Sequence, residues 1–175
     1  AGATNQVKVN IDWIHSEEIN PANAESRLGH LDGVLVAPGF GSRGIDGKID
    51  AIQYVRENKI PFFGICLGMQ CAVIEFARNV LNLDDAHSTE IKEYTPHPVI
   101  SLMSEQKTIT NLGGTMRLGA YACQVKTETK VYDAYQNEQI EERHRHRFEF
   151  NNDYLDQFEQ AGMKASGINP DSQLV

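Results

Sequence analysis

The sequence predicts an open α/β fold, in which helices flank a mostly parallel sheet and antiparallel strands are added in the second half. Two short, continuous apolar runs carry the parallel part, GVLVAP at 33–38 and PFFGIC at 61–66. Such runs are typical of strands buried on both faces. A glycine-containing turn and a stretch with helical periodicity follow each run, and two such units in succession imply right-handed crossovers. In the second half, strand patterns follow one another with little helix between them, which indicates antiparallel pairing.

The size and composition of the chain fit one globular domain. It has 175 residues, of which 41% are hydrophobic and 23% are charged, and this excludes collagen-like and disordered proteins. No apolar run approaches the roughly 18 residues of a membrane span, and the first ten residues show no secretory signal. The net charge of −8 disfavours a general nucleic-acid binder. We therefore expect a cytoplasmic protein with no membrane and no nucleic-acid partner.

The cysteines indicate a reducing compartment. Three of them, Cys66, Cys71 and Cys123, are too few for a disulfide framework. Cys71 falls inside a helical pattern and Cys123 inside a strand pattern, so both are interpreted as core residues. The chain has no CxxC pair and no HExxH segment, and we therefore expect no metal site.

The elements of the first half follow from residue periodicity. VKVNIDWI at 7–14 alternates apolar and polar residues, which predicts a strand with one apolar face. After the buried run at 33–38, apolar residues recur at spacings of three and four and predict a helix over about 45–58. Pro61 stops its extension. The buried run at 61–66 then leads into LGMQCAVIEFARNVL, a predicted helix over 67–81.

The second half combines strand and short-helix patterns. TMRLGAYACQV at 115–125 and EERHRHRFEF at 141–150 alternate as strands do. KVYDAYQ at 130–136 and NDYLDQFEQAG at 152–162 predict short helices, and the terminal glycine stops the second one. The last residues, 173–175, are interpreted as the start of another strand.

Cys66 in GICLGMQ (64–70) is the strongest candidate for a catalytic residue. It stands between a buried strand and a helix, where a nucleophile lies on a sharp turn, and Gly64 and Gly68 leave room for that turn as the glycines of a GxSxG elbow do. The free backbone N–H groups and positive dipole end near Leu67 favour the reactive thiolate and can hold an oxyanion. The alternative is that Cys66 is a small buried hydrophobic residue, as most free cysteines are.

The turn APGFGSRG (37–44) is the second candidate. Its glycines permit positive φ and a close approach of the backbone to a ligand. In an open α/β sheet this turn lies beside the Cys66 turn, so Gly39 or Phe40 can supply a second oxyanion N–H. The alternative is a plain loop, because the segment is neither GxxxxGK[ST] nor a full GxGxxG phosphate loop.

RHRHRFE (143–149) is the third candidate, in which strand alternation separates two sets of side chains. One face carries Arg143, Arg145 and Arg147, and the other carries His144, His146 and Phe148. On its own such a run favours a solvated face over a phosphate site or a carboxylate clamp. The spacing of the histidines does not favour a metal.

GICLGMQ resembles the nucleophile segment of the class I glutamine amidotransferases. The segments GFGSRG (39–44), HSTE (87–90), NLGGTMRLG (111–119) and ERHRHRFEFNN (142–152) narrow the resemblance to the glutaminase domain of the CTP synthase family. The similarity runs in order through nearly the whole chain. It implies the class I amidotransferase fold, which is flavodoxin-like.

The resemblance implies that Cys66 attacks the side-chain amide of glutamine and forms a thioester, with the backbone at Gly39 and Leu67 as oxyanion hole. It also implies a set of residues that hold glutamine: Gly39, Phe40, Leu67, Gly68, Met69, Gln70, Glu90 and Arg147. Because glutamine is a zwitterion, Glu90 suits its ammonium and Arg147 its carboxylate. Alternatively, Glu90 is only a capping or surface residue and Arg147 pairs with a neighbouring acid.

The same resemblance implies partners outside the chain. In the family, a separate synthetase domain uses ATP and Mg²⁺ to activate UTP, and receives ammonia from the glutaminase domain to form CTP. We therefore expect L-glutamine and a synthetase domain as partners, GTP as an allosteric activator, and a homotetramer for the whole protein. No cofactor is expected in the glutaminase domain itself.

Two features of the family have no counterpart in the sequence. The family's general base is a histidine, oriented by a glutamate in a His-Pro-Glu segment near the C-terminus. The chain has no such segment, and none of its six histidines stands in the matching context. The family's first strand and helix are also unmatched, so we expect residues 1–175 to form a partial amidotransferase domain with very weak activity of its own. Pro38, where many relatives have a second glycine, stiffens the turn but leaves the N–H of Gly39 available.

The sequence leaves two other functions open. The same elbow occurs in cysteine-dependent peptidase-like and deglycase-like α/β hydrolases. A regulatory or assembly domain with an inert Cys66 is the other alternative.

Overall fold

A computed structural model describes residues 2–102 and 117–175 of the chain. The strands in these two ranges are β1 (Val34–Val36), β2 (Phe62–Gly64), β3 (His87–Ser88), β4 (Pro98–Leu102), β5 (Arg117–Val125), β6 (Gln139–His146), β7 (Phe148–Phe150) and β8 (Gly167–Ile168). The α-helices are α1 (Ala24–Leu28), α2 (Ile45–Glu57), α3 (Leu67–Asn79), α4 (Lys130–Tyr135) and α5 (Leu155–Ala161). Short 3₁₀ turns lie at Ser16–Glu18 and Asn152–Tyr154. None of the described helices is long and apolar enough to cross a membrane.

The two predicted strand–helix units are present. β1 and β2 are parallel neighbours, with Val34 opposite Phe62. Each is followed by a 13-residue helix, α2 or α3. Both helices begin where the periodicity places them, α2 at Ile45 and α3 at Leu67. The parallel strand–helix arrangement of the prediction is confirmed.

The prediction that both strands are buried on both faces is wrong, since Leu35 and Phe63 are 57% and 63% exposed. β1 and β2 form a two-stranded sheet, and these two side chains lie on its uncovered face.

The core lies between the helices and the strands. The apolar stripes of α2 and α3 face inward, and Ile52 and Ile74 are 3% and 1% exposed. Phe158 of α5 stacks on Phe76 of α3, with ring centroids 5.5 Å apart. Burial of each such side chain contributes about 1.5–3 kcal/mol. This core fixes the orientation of α3, and Cys66 immediately precedes that helix.

Antiparallel strands are added in the second half, as predicted. The described strands form three small sheets, in the orders β1-β2, β3-β4-β7 and β6-β5-β8. In the second sheet β3 runs parallel to β4, and β7 runs antiparallel to β4. In the third sheet β5 pairs antiparallel with both β6 and β8. The predicted mostly parallel sheet with antiparallel additions is therefore found as several short sheets.

The strand predicted at 7–14 is not formed. Val7, Val9, Ile11 and Trp13 are 59%, 57%, 64% and 88% exposed. A strand needs a neighbouring strand to satisfy its backbone groups, and no described strand pairs with this segment. The alternating pattern shows which side chains are apolar, but it does not show whether a second strand lies beside the segment.

Two details of the second half also differ from the prediction. The strand predicted at 141–150 is interrupted at Arg147, so that β6 and β7 join different sheets. Residues 173–175 form no strand. The terminal segment folds back instead, since Leu174 accepts a hydrogen bond from the backbone of Asn169. The first part of the NLGGTMRLG segment and of the strand predicted at 115–125 lies outside the described residues.

Candidate active site

Cys66 lies on a sharp turn between β2 and α3. Its φ of 56° and ψ of −109° place a non-glycine residue in a region that L-amino acids rarely adopt. The turn is anchored by a hydrogen bond of 3.0 Å from the N–H of Ile65 to the carbonyl of Val36 on β1. The result is the strained strand-to-helix turn that the GxCxG spacing predicts.

The two glycines around Cys66 are required by packing. A Cβ on Gly68 would lie 2.2 Å from the carbonyl oxygen of Val36, and a Cβ on Gly64 would lie 2.6 Å from the carbonyl carbon of Gly68. Real Cβ atoms do not approach backbone atoms so closely. The glycines therefore let β1, β2 and α3 meet directly under the nucleophile candidate.

A pocket of about 320 Å³ opens beside Cys66. Six of the sequence-predicted site residues line it: Gly39, Phe40, Cys66, Gln70, Glu90 and Arg147. These residues come from four separate segments of the chain. The structure therefore brings together the nucleophile candidate, the glycine turn, and the two charged residues predicted to hold the ligand, Glu90 and Arg147.

Three other predicted residues do not contribute to the lining of the pocket. Leu67 and Gly68 are buried, and Met69 is half-buried against the core. Leu67 is also predicted to contribute its backbone N–H to the oxyanion hole, together with the N–H of Gly39. The side chain of Leu67 would contact a Cβ on Gly39 at 3.3 Å, so the two predicted oxyanion donors belong to neighbouring turns. Neither N–H donates a hydrogen bond to any other residue in 2–102 or 117–175.

Gln70 lies one turn into α3 and is 6% exposed. Its Nε2 donates a hydrogen bond of 3.0 Å to the carbonyl of Phe148 at the start of β7. The side chain therefore ties α3 to β7 across the pocket. Gln70 therefore stabilises the contact between α3 and β7, in addition to its predicted contact with substrate.

The charged groups of the pocket have opposite signs. Glu90 is exposed over much of its surface, but the desolvation of its carboxyl raises its pKa, and the nearby Arg147 guanidinium opposes that rise. Arg147 is half-buried with its Nε unpartnered among the described residues, and its guanidinium lies 5.8 Å from the centre of the Phe148 ring. An anion and a cation that share one small pocket suit a ligand with both an ammonium and a carboxylate.

Sequence reasoning missed three lining residues, Arg145, His146 and Phe148. Simple alternation assigns Arg145 to one face and the other two to the opposite face. Because the strand is interrupted at Arg147, consecutive residues turn into the same pocket. No local sequence signal marks this interruption, since every residue from 143 to 148 is compatible with a strand.

Among the described residues, His146 is the histidine that lines this pocket. Burial and the nearby Arg117 lower the pKa of His146. Its Nδ1 faces Nδ1 of His144 at 3.3 Å. His15 and Glu17 have the spacing of a His-x-Glu pair, but Glu17 pairs with Arg43 and neither residue lines the pocket.

Of the two cysteines predicted to lie in the core, Cys71 does so and Cys123 does not. Cys71 is fully buried in α3, and burial raises its pKa to about 11. Cys123 is half-buried in β5, and burial raises its pKa as well. Within 2–102 and 117–175, no group of three or more His, Cys, Asp or Glu side chains is placed to hold a metal ion.

The strained cysteine turn, the glycine turn beside it and the pocket that holds Glu90 and Arg147 are the features expected of a glutamine amidotransferase. The chain matches the family "Glutamine amidotransferase class-I" over residues 1–175 and belongs to it. Among curated proteins, it is 63% identical over its whole length to the CTP synthase of Flavobacterium johnsoniae and 61% identical to that of Bacteroides fragilis. It spans about a third of the length of each, 33% in both cases.

A comparison with solved structures supports the same family. The fold superposes on the glutaminase domain of Trypanosoma brucei CTPS with bound acivicin, with a TM-score of 0.91 and 35% identity. The match covers 99% of this chain and 68% of that one. The resemblance to the glutaminase domain of CTP synthases and the class I amidotransferase fold are both confirmed.

Proposed function

We propose that this chain is the glutaminase part of a CTP synthase and that Cys66 is its nucleophile. The observation that carries the proposal is the position of Cys66, on a strained turn that opens into the pocket shared by Glu90 and Arg147. The whole-length similarity to CTP synthases supports the particular enzyme. The bound acivicin of the Trypanosoma brucei structure supports a glutamine-like ligand.

In the proposed reaction, the Cys66 thiolate attacks the side-chain carbonyl carbon of glutamine. The carbonyl oxygen becomes an oxyanion, which accepts hydrogen bonds from the N–H groups of Gly39 and Leu67. The C–N bond then breaks, the nitrogen takes up a proton and leaves as ammonia, and a thioester remains on Cys66. Water hydrolyses the thioester to glutamate and regenerates the thiol.

Recognition of glutamine follows from the charges of the pocket. The Glu90 carboxylate accepts hydrogen bonds from the α-ammonium, and the Arg147 guanidinium donates to the α-carboxylate. Hydrogen bonds to charged groups contribute about 1.5–3 kcal/mol each. Amino acids whose side chain cannot place an amide at Cys66 are bound by the same two groups without reacting.

The rest of the proposed activity involves groups beyond these 175 residues. The general base is a histidine oriented by a glutamate outside the chain, and a synthetase domain uses ATP and Mg²⁺ to aminate UTP with the released ammonia. GTP activation, assembly as a homotetramer and a cytoplasmic location belong to the same proposal.

The test compares two nitrogen sources in the whole protein, including any sequence that flanks these residues. Cys66→Ala is expected to abolish CTP formation from glutamine and to preserve CTP formation from added ammonia. Cys123→Ala is the matched control, because Cys123 is a half-buried cysteine outside the pocket. Survival of the glutamine-dependent reaction in Cys66→Ala would remove the nucleophile assignment.

Labelling separates this function from that of other cysteine hydrolases. Diazo-oxo-norleucine, an electrophilic glutamine analogue, is expected to modify Cys66, and glutamine is expected to protect it. Labelling that glutamine does not slow would favour a peptidase-like or deglycase-like enzyme. Absence of any labelling would favour a regulatory domain.

A further inference from the structure

A buried ion pair lies next to the pocket without lining it. Arg117 at the start of β5 and Glu149 in β7 are 5% and 4% exposed. Nη1 of Arg117 is 3.6 Å from Oε1 of Glu149. Both of these atoms, together with Nε of Arg117, lack a hydrogen-bond partner among the described residues. Buried polar atoms without partners are rare in native proteins, so each needs an explanation.

The ion pair spans two sheets. Arg117 belongs to the sheet β6-β5-β8, and Glu149 belongs to the sheet β3-β4-β7. The chain passes from the first sheet to the second at Arg147, the single residue between β6 and β7. The attraction between Arg117 and Glu149 therefore acts across the corner at which Arg147 turns into the pocket.

A histidine connects the ion pair to the pocket wall. His146 lies opposite Arg117 in the β5–β6 register. Its Nδ1 is 3.9 Å from Oε1 of Glu149, and the residue itself lines the pocket. Glu149 thus has a cation on one side and a pocket residue on the other, and it follows Arg147 by two residues.

We propose that Glu149 is a positioning residue of the pocket, which fixes the corner between the two sheets through Arg117 and His146 and thereby aims the Arg147 guanidinium at the ligand. The identity of the ligand as glutamine rests on the proposed function. The corner itself does not depend on that identity.

The energetics of buried pairs provide the means to test this role. Removal of one partner leaves an uncompensated buried charge and destabilises the fold, whereas replacement of both partners by apolar residues of similar volume is often neutral. Stability and positioning can therefore be separated. The double variant Arg117→Met with Glu149→Leu keeps the volume of the pair and removes the attraction that fixes the corner.

The experiment measures glutamine kinetics and thermal stability in the whole protein. In Glu149→Gln and in the double variant, KM for glutamine is expected to rise on the order of tenfold, because a misaligned guanidinium forfeits a charge-assisted hydrogen bond. The value of kcat should change less, which is the signature of lost ground-state binding. The double variant should regain most of the thermal stability that Glu149→Gln loses.

Glu75→Gln supplies the matched control. Glu75 is 1% exposed and pairs with Arg56 at 2.8 Å, and neither residue lines the pocket. This variant should lose stability and keep the KM of the wild type. An unchanged KM in Glu149→Gln, or an equal rise in Glu75→Gln, would overturn the positioning role.

A crystal structure of Glu149→Gln gives a readout that needs no glutamine. The expected result is a displaced Arg147 guanidinium, and an unmoved one would refute the proposal. Should the wild-type protein fail to hydrolyse glutamine, the proposed function would fall. The position of Arg147 in this variant would still decide whether Glu149 controls it.

Discussion

Cys66 has a positive φ, a backbone conformation that is unfavourable for cysteine. A non-glycine residue in such a region costs of the order of 1–3 kcal/mol, and surrounding structure must maintain it. The hydrogen bond between Ile65 and Val36 and the close contacts at Gly64 and Gly68 hold Cys66 in this conformation. At this scale, the sharp turn at Cys66 is possible because Gly64 and Gly68 let β1, β2 and α3 pack closely beneath it.

The two charged residues of the pocket should affect glutamine binding separately. Glu90→Gln and Arg147→Gln are each expected to raise KM for glutamine about ten- to a hundredfold, since each removes a charge-assisted hydrogen bond. Ammonia-dependent CTP formation should be unaffected. Steady-state kinetics with both nitrogen sources measure this, and the exposed Glu93→Gln on the same segment is the control. Equal losses with ammonia would contradict a role in glutamine binding.

His144 predicts how stability depends on pH. Burial first, and then Arg117 and His146, lower the pKa of His144 from 6.5 to about 4, against a raising effect of Glu142. Between about pH 4 and pH 6.5, His144 is protonated in the unfolded chain and neutral in the folded chain. The contribution is therefore complete above pH 6.5 and is lost as the pH falls toward 4.

His144→Gln should consequently flatten the loss of stability on acidification. Urea unfolding of the wild type and the variant at pH 7.5 and pH 5 measures the difference. The exposed His15→Gln is the control and should leave the slope as it is in the wild type. A slope in His144→Gln equal to that of the wild type would contradict the assignment.

At the scale of the elements, the interruption between β6 and β7 matters most. An uninterrupted strand would place Arg147 on the same face as Arg145, and His146 on the opposite face. The break sends the chain into a second sheet and lets Arg145, His146 and Arg147 line one pocket. The neighbouring element α3 contributes Gln70, which bonds to Phe148 directly after the break.

The packing of α3 on β1 gives a prediction for Gly68. Alanine would place its Cβ 2.2 Å from the backbone of Val36, so α3 must move away from the sheet. Gly68→Ala is expected to lower the free energy of unfolding by about 1–3 kcal/mol, as overpacking does, although alanine is the better helix former.

Denaturant unfolding of this variant is compared with that of Gly33→Ala. A Cβ on Gly33 would meet Pro61 at 3.4 Å, an ordinary contact, so little change is expected there. Labelling of Cys66 by diazo-oxo-norleucine should also slow in Gly68→Ala, because the nucleophile turn moves with α3. A stable variant with normal labelling would show that the contact with Val36 is dispensable.

At the scale of the molecule, the pocket is a product of distant segments. Gly39 and Phe40 follow β1, Glu90 follows β3, and Arg147 stands between β6 and β7. Local interactions cannot bring these residues together, so the site forms only when all three sheets are assembled. The Arg117–Glu149 pair is one of the contacts that join two of those sheets.

The exposed segment at 7–14 supplies a prediction for the isolated chain. Trp13 is the single tryptophan of the sequence and is 88% exposed. Its fluorescence in the 175-residue chain should resemble that of a tryptophan in water and should be quenched readily by acrylamide. Addition of urea should therefore shift its emission very little. A blue-shifted emission resistant to quenching would mean that the ring of Trp13 packs against other residues.

Features that depend on local pattern follow from the amino-acid sequence alone. The apolar runs predicted the positions of β1 and β2, the periodicity predicted the starts of α2 and α3, and GxCxG predicted the sharp turn at Cys66. These succeed because spacing along the chain is converted directly into one face of an element or one turn. The motifs at Glu90 and Arg147 also identified residues of the pocket, through resemblance to a family.

Features that depend on a partner segment become visible in the three-dimensional fold. The alternating segment at 7–14 forms no strand because no described strand lies beside it, and the strand at 141–150 divides because its two halves pair with different sheets. For the same reason, His146 and Phe148 enter the pocket and Arg117 meets Glu149. Strand pairing and burial join residues that are far apart in the chain, and a pattern confined to a short window carries no information about them.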